Sequence, residues 1–310
     1  MERLRRTARI TLAGLGLVCA FGAPLHCHAQ AATTVSPVKT PSIAGSSSWI
    51  ARWQARATEV QDSQPHWSTP VATSTPKIDQ AMRTEFVRHA NTAGYHTWNL
   101  GNNKGLELIP ARRTELVFGV PPFFKHAQPG AHDGFGDVWF QAKYQFAAAN
   151  EQHGNYAVTA IVYATVPTGK NANGSCCAIV TPALAAGKGW GRWAVMSLLS
   201  GTLPASNAHG LGHTIAWSNV VEYRLGSKGF AKLLVPEIES NSNFYRGGAN
   251  DGKAAAFITP GIVVGRIPFS HDANGVPGRR ALTLAAGEQI AVTHYHPYNH
   301  ALIVSVRLPF

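Results

Sequence analysis

Three residues near the middle of this 310-residue sequence have the side chains that acyl transfer requires. His213 can act as a general base, Ser218 as a nucleophile and Asn219 as a group that orients the histidine. They lie in a predicted β-strand, where successive side chains point to opposite faces, so Ser218 points away from the other two. Because no nucleophile, base and orienting group converge, we predict no catalytic residue and no enzyme.

Histidines and cysteines at the ends of other predicted strands have the side chains of metal ligands. His294 and His296 share one face and His300 follows across a loop, but no cysteine or carboxylate lies close to them in sequence. Cys176 and Cys177 are adjacent, whereas a metal site or a long-range disulfide needs separated cysteines. We interpret the histidines as a solvated loop tip and the cysteines as a loop pair, free or locally bridged. We predict no metal and no cofactor.

The chain is basic, with a formal net charge of +11 at pH 7. After Arg9 the lysines and arginines are scattered, and no nucleic-acid-binding motif accompanies them. The charge therefore favours anionic lipopolysaccharide, or a lumen that attracts anions, over nucleic acid as a partner.

The start of the chain has the features of an export signal. Its basic residues are Arg3, Arg5, Arg6 and Arg9. Residues 10–23 are uncharged and mostly apolar, but they are fewer than the roughly 20 residues of a membrane-spanning helix. Small residues at Ala29 and Ala31 suit a signal peptidase. We therefore predict a cleaved signal peptide at residues 1–31.

Residues 32–80 are predicted to be a flexible periplasmic segment, because the first part is rich in Ser, Thr, Pro and Ala. Within this segment, apolar residues recur at helical spacing at Trp49, Ile50, Trp53, Ala57 and Val60. This spacing predicts a short amphipathic helix. It would pack at the membrane edge, or cap or plug the mouth of a barrel.

From residue 81 onward, apolar and polar residues alternate in stretches that are separated by breaks. One face of residues 136–146 carries Val138, Phe140, Ala142, Tyr144 and Phe146. The end of the chain repeats the pattern with Leu302, Val304, Val306, Leu308 and Phe310. A period of two predicts β-strands with unlike faces.

Twelve strands are predicted in this region. They cover residues 82–91, 105–110, 113–121, 135–147, 155–166, 178–186, 192–204, 213–225, 229–241, 255–266, 281–293 and 301–310. Most are longer than the average strand of about five or six residues and reach the roughly 9 to 11 that a membrane strand needs.

The connections between these strands alternate in length, as in a barrel with short periplasmic turns and long external loops. The short ones are residues 111–112, 187–191 and 226–228, and the long ones are residues 122–134, 167–177 and 242–254. Because lipid excludes open sheet edges, strands of this length must close on themselves. We predict an all-β fold in which residues 81–310 form a closed antiparallel transmembrane β-barrel of about 12 strands.

The alternation also assigns side chains to the two faces of the barrel. Five charged residues are predicted to line the lumen: Asp137, Lys143, Glu222, Arg224 and Arg307. They would set the field of a water-filled interior or form a salt-bridged, blocked one. Aromatic residues near strand ends could form interfacial girdles or pack in the core: Phe118, Trp139, Tyr144, Trp190, Trp193, Trp217, Tyr223 and Phe310.

Several short motifs follow one another in a recognisable order. They are Trp67-Ser68-Thr69-Pro70, Thr75-Pro76-Lys77, Gly105-Leu106-Glu107-Leu108-Ile109-Pro110, Val120-Pro121-Pro122, Gly134-Phe135-Gly136-Asp137 before Lys143-Tyr144, Pro167-Thr168-Gly169, Thr259-Pro260-Gly261 and Arg307-Leu308-Pro309-Phe310. Together they resemble the outer-membrane family described as a transporter of the phenol-degradation MetA pathway, over residues 67–310. The resemblance implies a β-barrel that passes small molecules, aromatic ones included, without catalytic residues. It also implies that barrel-assembly machinery reads the last strand, with Phe310 as the assembly signal.

These observations predict a monomeric outer-membrane channel or uptake barrel of a Gram-negative bacterium, for passive diffusion of small solutes, aromatic or hydrophobic ones included. Its partners would be outer-membrane lipid and lipopolysaccharide, the barrel-assembly machinery and an unidentified solute, and not nucleic acid. Two alternatives belong to other classes. One is a structural or adhesive surface barrel without conductance, and the other is a lipid-active outer-membrane enzyme that depends on Ser218.

Overall fold

The computed structural model describes residues 48–102, 104–271 and 278–310. The predicted signal peptide at residues 1–31, and the part of the predicted flexible segment at residues 32–47, lie outside the described residues.

Within the described residues the chain forms twelve strands, four of them in two segments. They are β1 (Ala81–Ala90), β2 (His96–Leu100 and Gly105–Ala111), β3 (Thr114–Gly119 and Phe123–His126), β4 (Gly134–Phe135 and Val138–Ala149), β5 (Tyr156–Val166), β6 (Ile179–Trp190), β7 (Trp193–Gly201 and Leu203–Pro204), β8 (His213–Tyr223), β9 (Leu234–Arg246), β10 (Ala254–Pro268), β11 (Ala281–Ala291) and β12 (His300–Pro309).

The sheet closes into a barrel through its first and last strands. β1 pairs antiparallel with β12 along its length, from Ala81 opposite Pro309 to Ala90 opposite His300. Each of the other described strands pairs with its neighbours in sequence. The predicted all-β fold, a closed antiparallel barrel of about 12 strands, is therefore confirmed.

Several strands differ from their predicted bounds, among them β3, whose second segment Phe123–His126 lies in a predicted loop, and three of the differences have local reasons. The first segment of β2 was not predicted, because Gly101 and Asn102 interrupt the strand with positive φ angles of 102° and 41°. β6 continues to Trp190, whereas a turn was predicted at residues 187–191. β9 begins only at Leu234, because the preceding residues, Phe230–Leu233, form a 3₁₀ turn.

Burial alternates along the strands as the period of two predicts. In β4, the buried residues are Trp139, Gln141, Lys143 and Gln145, whereas Phe140, Ala142, Tyr144 and Phe146 are exposed. The exposed side chains point outward, away from the barrel axis. Trp139 therefore faces the interior and does not form part of an interfacial girdle. Its ring lies beside that of Tyr163, with a centroid separation of 6.3 Å.

The predicted short helix is present as α1 (Trp49–Ser63), whose first turn is capped by the Ser48 hydroxyl, which accepts from the Ala51 amide. Ala57 and Val60 pack against Ile109 of β2. α1 therefore lies at the end of the barrel where β1 begins and β12 ends, which we call the terminal end; the opposite end is the loop end. No helix in the described residues is long and apolar enough to span a membrane.

Residues 64–80, which we call the inner segment, run through the barrel without forming a helix or strand. Trp67 packs against the inward-facing Ala157, Ala194, Met196 and Val220. Val71 packs against another inward-facing set, namely Val87, Val235, Val263, Ala285, Ala301 and Ile303. The expectation of a flexible periplasmic segment does not hold for these residues, because they are packed inside the barrel.

Candidate functional site

Four glycines in the barrel wall leave room for the inner segment. A Cβ atom on Gly187 would lie 2.5 Å from the Trp67 ring, and one on Gly189 would lie 2.6 Å from its Nε1. Cβ atoms on Gly261 and Gly287 would lie 3.2 and 3.3 Å from Val71. Glycine inside a strand can mark the close approach of another chain segment. This explains why Gly187 and Gly189 lie in β6, while the turn is confined to Gly191 and Arg192.

Three glutamates on the adjoining strands β8 and β9 hold the inner segment by its amides. Glu222 and Glu237 are directly opposite each other in the strand pairing, and Glu239 follows on the same face. The Ser68 amide donates to Glu222 over 3.1 Å, and the Val71 amide donates to Glu237 over 2.8 Å. The amides of Ala72 and Thr73 both donate to Glu239, each over 2.7 Å. These four hydrogen bonds satisfy buried amides of the inner segment and so fix the path of residues 68–73.

Cations on other strands hold the same segment by its carbonyl groups. Arg307 of β12 donates from Nη1 to the Thr69 oxygen and from Nη2 to the Pro70 oxygen, both over 2.7 Å. Lys143 of β4 donates to the Lys77 oxygen over 3.0 Å. It also forms a buried ion pair with Glu115 of β3, with 3.0 Å between the charged atoms.

The structure places all five predicted lumen residues on the inward face. Lys143, Glu222 and Arg307 bind the inner segment as described, and Arg224 donates to the His66 oxygen over 3.0 Å. Asp137 has a different task, because it accepts from the amides of Thr168, Gly169 and Ser175 and so shapes the loop at residues 167–178. The interior is largely filled rather than an open, charged pore.

Several further charged residues of the interior were not predicted. They are Arg83, Glu85, Glu115, Glu237 and Glu239, all of which are buried. Arg83 pairs with Glu85, and Lys104 lies 3.7 Å from the same carboxylate. The sequence does contain a pattern that could have identified them. Arg83 and Glu85, like Glu237 and Glu239, are charged residues two positions apart in a strand, so both members of each pair lie on the same face.

Two cavities in the lumen are lined in part by the inner segment. The terminal-end cavity has a volume of about 540 Å³ and is bounded by residues that include Trp67, Arg224 and Arg307. The loop-end cavity has a volume of about 260 Å³ and is bounded by residues that include His89, Gln289 and Tyr298.

The barrel architecture can be compared with known proteins. No family model and no curated protein matches the chain. Among solved structures, the chain is similar to an outer membrane channel from Pseudomonas putida F1, with a TM-score of 0.53 and 16% sequence identity. The match covers 79% of this chain and 100% of the channel. The two chains share a fold. The resemblance of the sequence motifs to the phenol-degradation family stays a prediction.

The candidate catalytic residues lie as the strand period predicts. Ser218 is buried inside the barrel, where its hydroxyl accepts from the side-chain amide of Asn241 over 2.7 Å. His213 is exposed, on the opposite face. The barrel wall therefore separates the hydroxyl from the imidazole.

The histidine and cysteine candidates have local partners. His296 contacts the Thr293 carbonyl oxygen over 2.7 Å, and His300 contacts Glu288 over 2.5 Å. In the part of the chain that the structure describes, no three potential ligands are grouped as a metal site would require. The Sγ atoms of Cys176 and Cys177 are 3.1 Å apart, and both thiols are free. Hydrogen bonds from Cys177 and from the Asn207 amide lower the pKa of the Cys176 thiol.

Replacing Gly187 with alanine should displace Trp67 from the wall. The new Cβ would lie 2.5 Å from the Trp67 ring and 2.9 Å from the Met196 side chain, and such overpacking costs about 1–3 kcal/mol. Urea unfolding of the detergent-refolded barrel and its near-ultraviolet circular dichroism should both report the change. Gly201→Ala is the control, because no atom lies within 4 Å of its Cβ position. Equal effects of the two variants would contradict the close packing of Trp67.

Lys143→Met should destabilise the barrel by about 3–5 kcal/mol, because Glu115 would remain as a buried charge without its partner. Adding Glu115→Gln should restore most of the lost stability, since glutamine is neutral and its carbonyl can still accept from the Asp79 amide. The urea midpoints of the two single variants and the double variant measure this coupling. Additive losses in the double variant would show that the two residues do not interact.

Proposed function

We propose that the chain is an outer-membrane channel for the passive passage of small solutes, and that the inner segment restricts its lumen. The observation that carries the proposal is the contrast between the two faces of a closed barrel. The outer face is apolar, whereas the inner face is charged and encloses two cavities.

The outer face supports a location in lipid. Large apolar side chains are exposed on it around the barrel, among them Phe86, Phe140, Leu184, Leu199, Ile238 and Leu284. Charged groups on this face lie near strand ends. At the loop end Arg88 lies over the Trp98 ring, and at the terminal end Lys188 lies over Tyr156. A bilayer favours this distribution, because a charge costs most at the midplane and little near the headgroups.

Aromatic residues and loops support an orientation for the barrel. Trp190 and Trp193 are exposed on either side of a tight turn at the terminal end, as in an interfacial girdle. Long connections such as residues 167–178 lie at the loop end. Short turns facing the periplasm and long loops facing outward are the rule for outer-membrane barrels. We therefore assign the terminal end to the periplasm.

The way in which the inner segment is held supports a channel. Wall side chains bind it, and within residues 64–80 no residue is part of a β-strand. It can therefore move without breaking the pairing that closes the barrel. The cavities on either side of it, of about 540 and 260 Å³, are of a size for small solutes.

Glu239→Ala should increase the conductance of the refolded chain in planar bilayers several-fold. The change removes the acceptor of two inner-segment amides, and hydrogen bonds to charged groups contribute about 1.5–3 kcal/mol each. Glu288→Ala is the matched control, because Glu288 pairs with His300 on the outer face and does not touch the inner segment. Absence of conductance from both the natural chain and Glu239→Ala would contradict the channel and favour the structural or adhesive barrel.

We also propose that Phe310 is the assembly signal. Its amide donates to the Gln80 oxygen over 3.3 Å, and its own oxygen accepts from Arg279 over 3.2 Å. The residue thus lies at the terminal end of the seam between β1 and β12. A side chain in this position is accessible to machinery that closes the barrel.

Phe310→Ala should sharply reduce the heat-modifiable fraction of the protein in outer-membrane preparations, while leaving the backbone hydrogen bonds of residue 310 in place. Loss of the buried ring area alone would cost at most about 2–3 kcal/mol, so refolding in detergent should still succeed. Phe269→Ala is the control, because Phe269 is an exposed aromatic residue next to β10 at the same end. Normal membrane insertion of Phe310→Ala would refute the proposed role.

A further inference from the structure

We propose that the terminal-end cavity binds a small oxyanion, a carboxylate or a phosphate, beside Arg307. The proposal rests on the channel function and deepens it, because it assigns the chemical class of the solute. Binding itself is measured without conduction, so the two proposals can fail separately.

The lining of the terminal-end cavity is predominantly basic. The basic residues are Lys77, Arg192, Arg224, Lys232, Arg266 and Arg307, and the acidic residues are Asp62, Asp79 and Glu107. In the described part of the chain, none of these six basic residues forms an ion pair within 4.0 Å. The cavity therefore has an excess of positive charge that no neighbouring carboxylate neutralises at close range.

The arginines of the cavity are held by neutral groups. Arg192 donates to the Leu225 oxygen over 3.2 Å, and Arg266 donates to the Arg279 oxygen over 2.6 Å. Arg224 and Arg307 bind carbonyl oxygens of the inner segment in the same way. Backbone carbonyls fix the directions of the guanidinium groups but do not neutralise their charges. The positive groups of the cavity are therefore held in place before an anion binds.

Arg307 identifies the position of the anion within the cavity. Its side chain is only 5% exposed, its two terminal nitrogens bind carbonyl oxygens, and its Nε has no hydrogen-bond partner within the described residues. Asp79, Glu85 and Glu107 attract Arg307 from a distance, but the charge is buried without an ion pair at close range, which is costly, and a buried donor without an acceptor adds to that cost. An oxyanion in the cavity towards which the buried Nε could turn would reduce both costs at once.

The chemistry of the cavity favours a small oxyanion over other solutes. Guanidinium groups match the oxygen geometry of carboxylate and phosphate, and the charge-assisted bonds are short and strong. Cations would be repelled by the excess positive charge. The volume of about 540 Å³ accommodates a small molecule. The three acidic residues moderate the attraction and so disfavour highly charged polyanions.

Isothermal titration calorimetry of the detergent-refolded chain tests the site with inorganic phosphate and, separately, with succinate. We expect saturable binding of at least one of them, weakened at higher ionic strength because screening reduces the attraction. Arg307→Gln should weaken it at least about tenfold, since it removes the buried charge-assisted donor. Arg266→Gln leaves the inner segment untouched and should weaken binding about threefold by removing one charge. Arg113→Gln, an exposed arginine at the same end outside the cavity, should bind as the natural chain does.

The outcomes separate the two proposals. Absence of saturable binding by the natural chain, or unchanged binding in both Arg307→Gln and Arg266→Gln, would overturn the oxyanion site. The relative affinities of phosphate and succinate decide which oxyanion the site takes. Binding without bilayer conductance would support the site and remove the channel, whereas conductance without binding would overturn the site alone.

Discussion

The arrangement of the interior depends on one constraint, which is that a buried backbone must have its hydrogen bonds satisfied. The inner segment forms no helix or strand, so side chains of the barrel wall have to supply its partners. Glu222, Glu237 and Glu239 accept from its amides, while Arg307 and Lys143 donate to its carbonyls. The charged residues that an open pore would expose to water are here bound to the peptide groups of residues 64–80.

The same constraint determines how firmly the inner segment is held. Its contacts are distributed over many strands, from β1 to β12, and each bond to a charged group contributes only about 1.5–3 kcal/mol. The barrel closes through the continuous pairing of β1 with β12, which does not involve the inner segment. Displacement of part of the segment would therefore break a few side-chain bonds while the wall remains intact. Such a segment can act as a restriction whose strength individual wall residues adjust.

The barrel could be predicted from the sequence because its information is local. Alternation over β4 and β12 assigns side chains to faces without any knowledge of the partner strands. The inner segment could not be predicted in this way, because its partners are distant in sequence: Val71 binds Glu237, and Trp67 occupies the space left by Gly187 and Gly189. Without knowledge of Trp67, the glycines at these positions favour the prediction of a turn. The position of Trp139 was left open for a related reason, since an aromatic residue near a strand end fits a girdle or an interior equally well until its face is considered.

The two cavities differ in electrostatic character because lysines and arginines line the terminal-end cavity and, within the described residues, none lines the loop-end cavity. Near the loop end, the only described acidic residue that lines the cavity is Glu239, and both of its oxygens already bind amides of the inner segment. The remaining polar residues there, such as Asn241, Gln289 and Tyr298, offer hydrogen bonds without formal charge. At the terminal end, arginines bind carbonyl oxygens, which leave the positive charge in place. A solute that crosses from the loop end would therefore exchange water first for neutral hydrogen-bonding groups and then for a positive field. Since a positive field favours anions and opposes cations, the proposed channel would select solutes by charge in the terminal-end cavity.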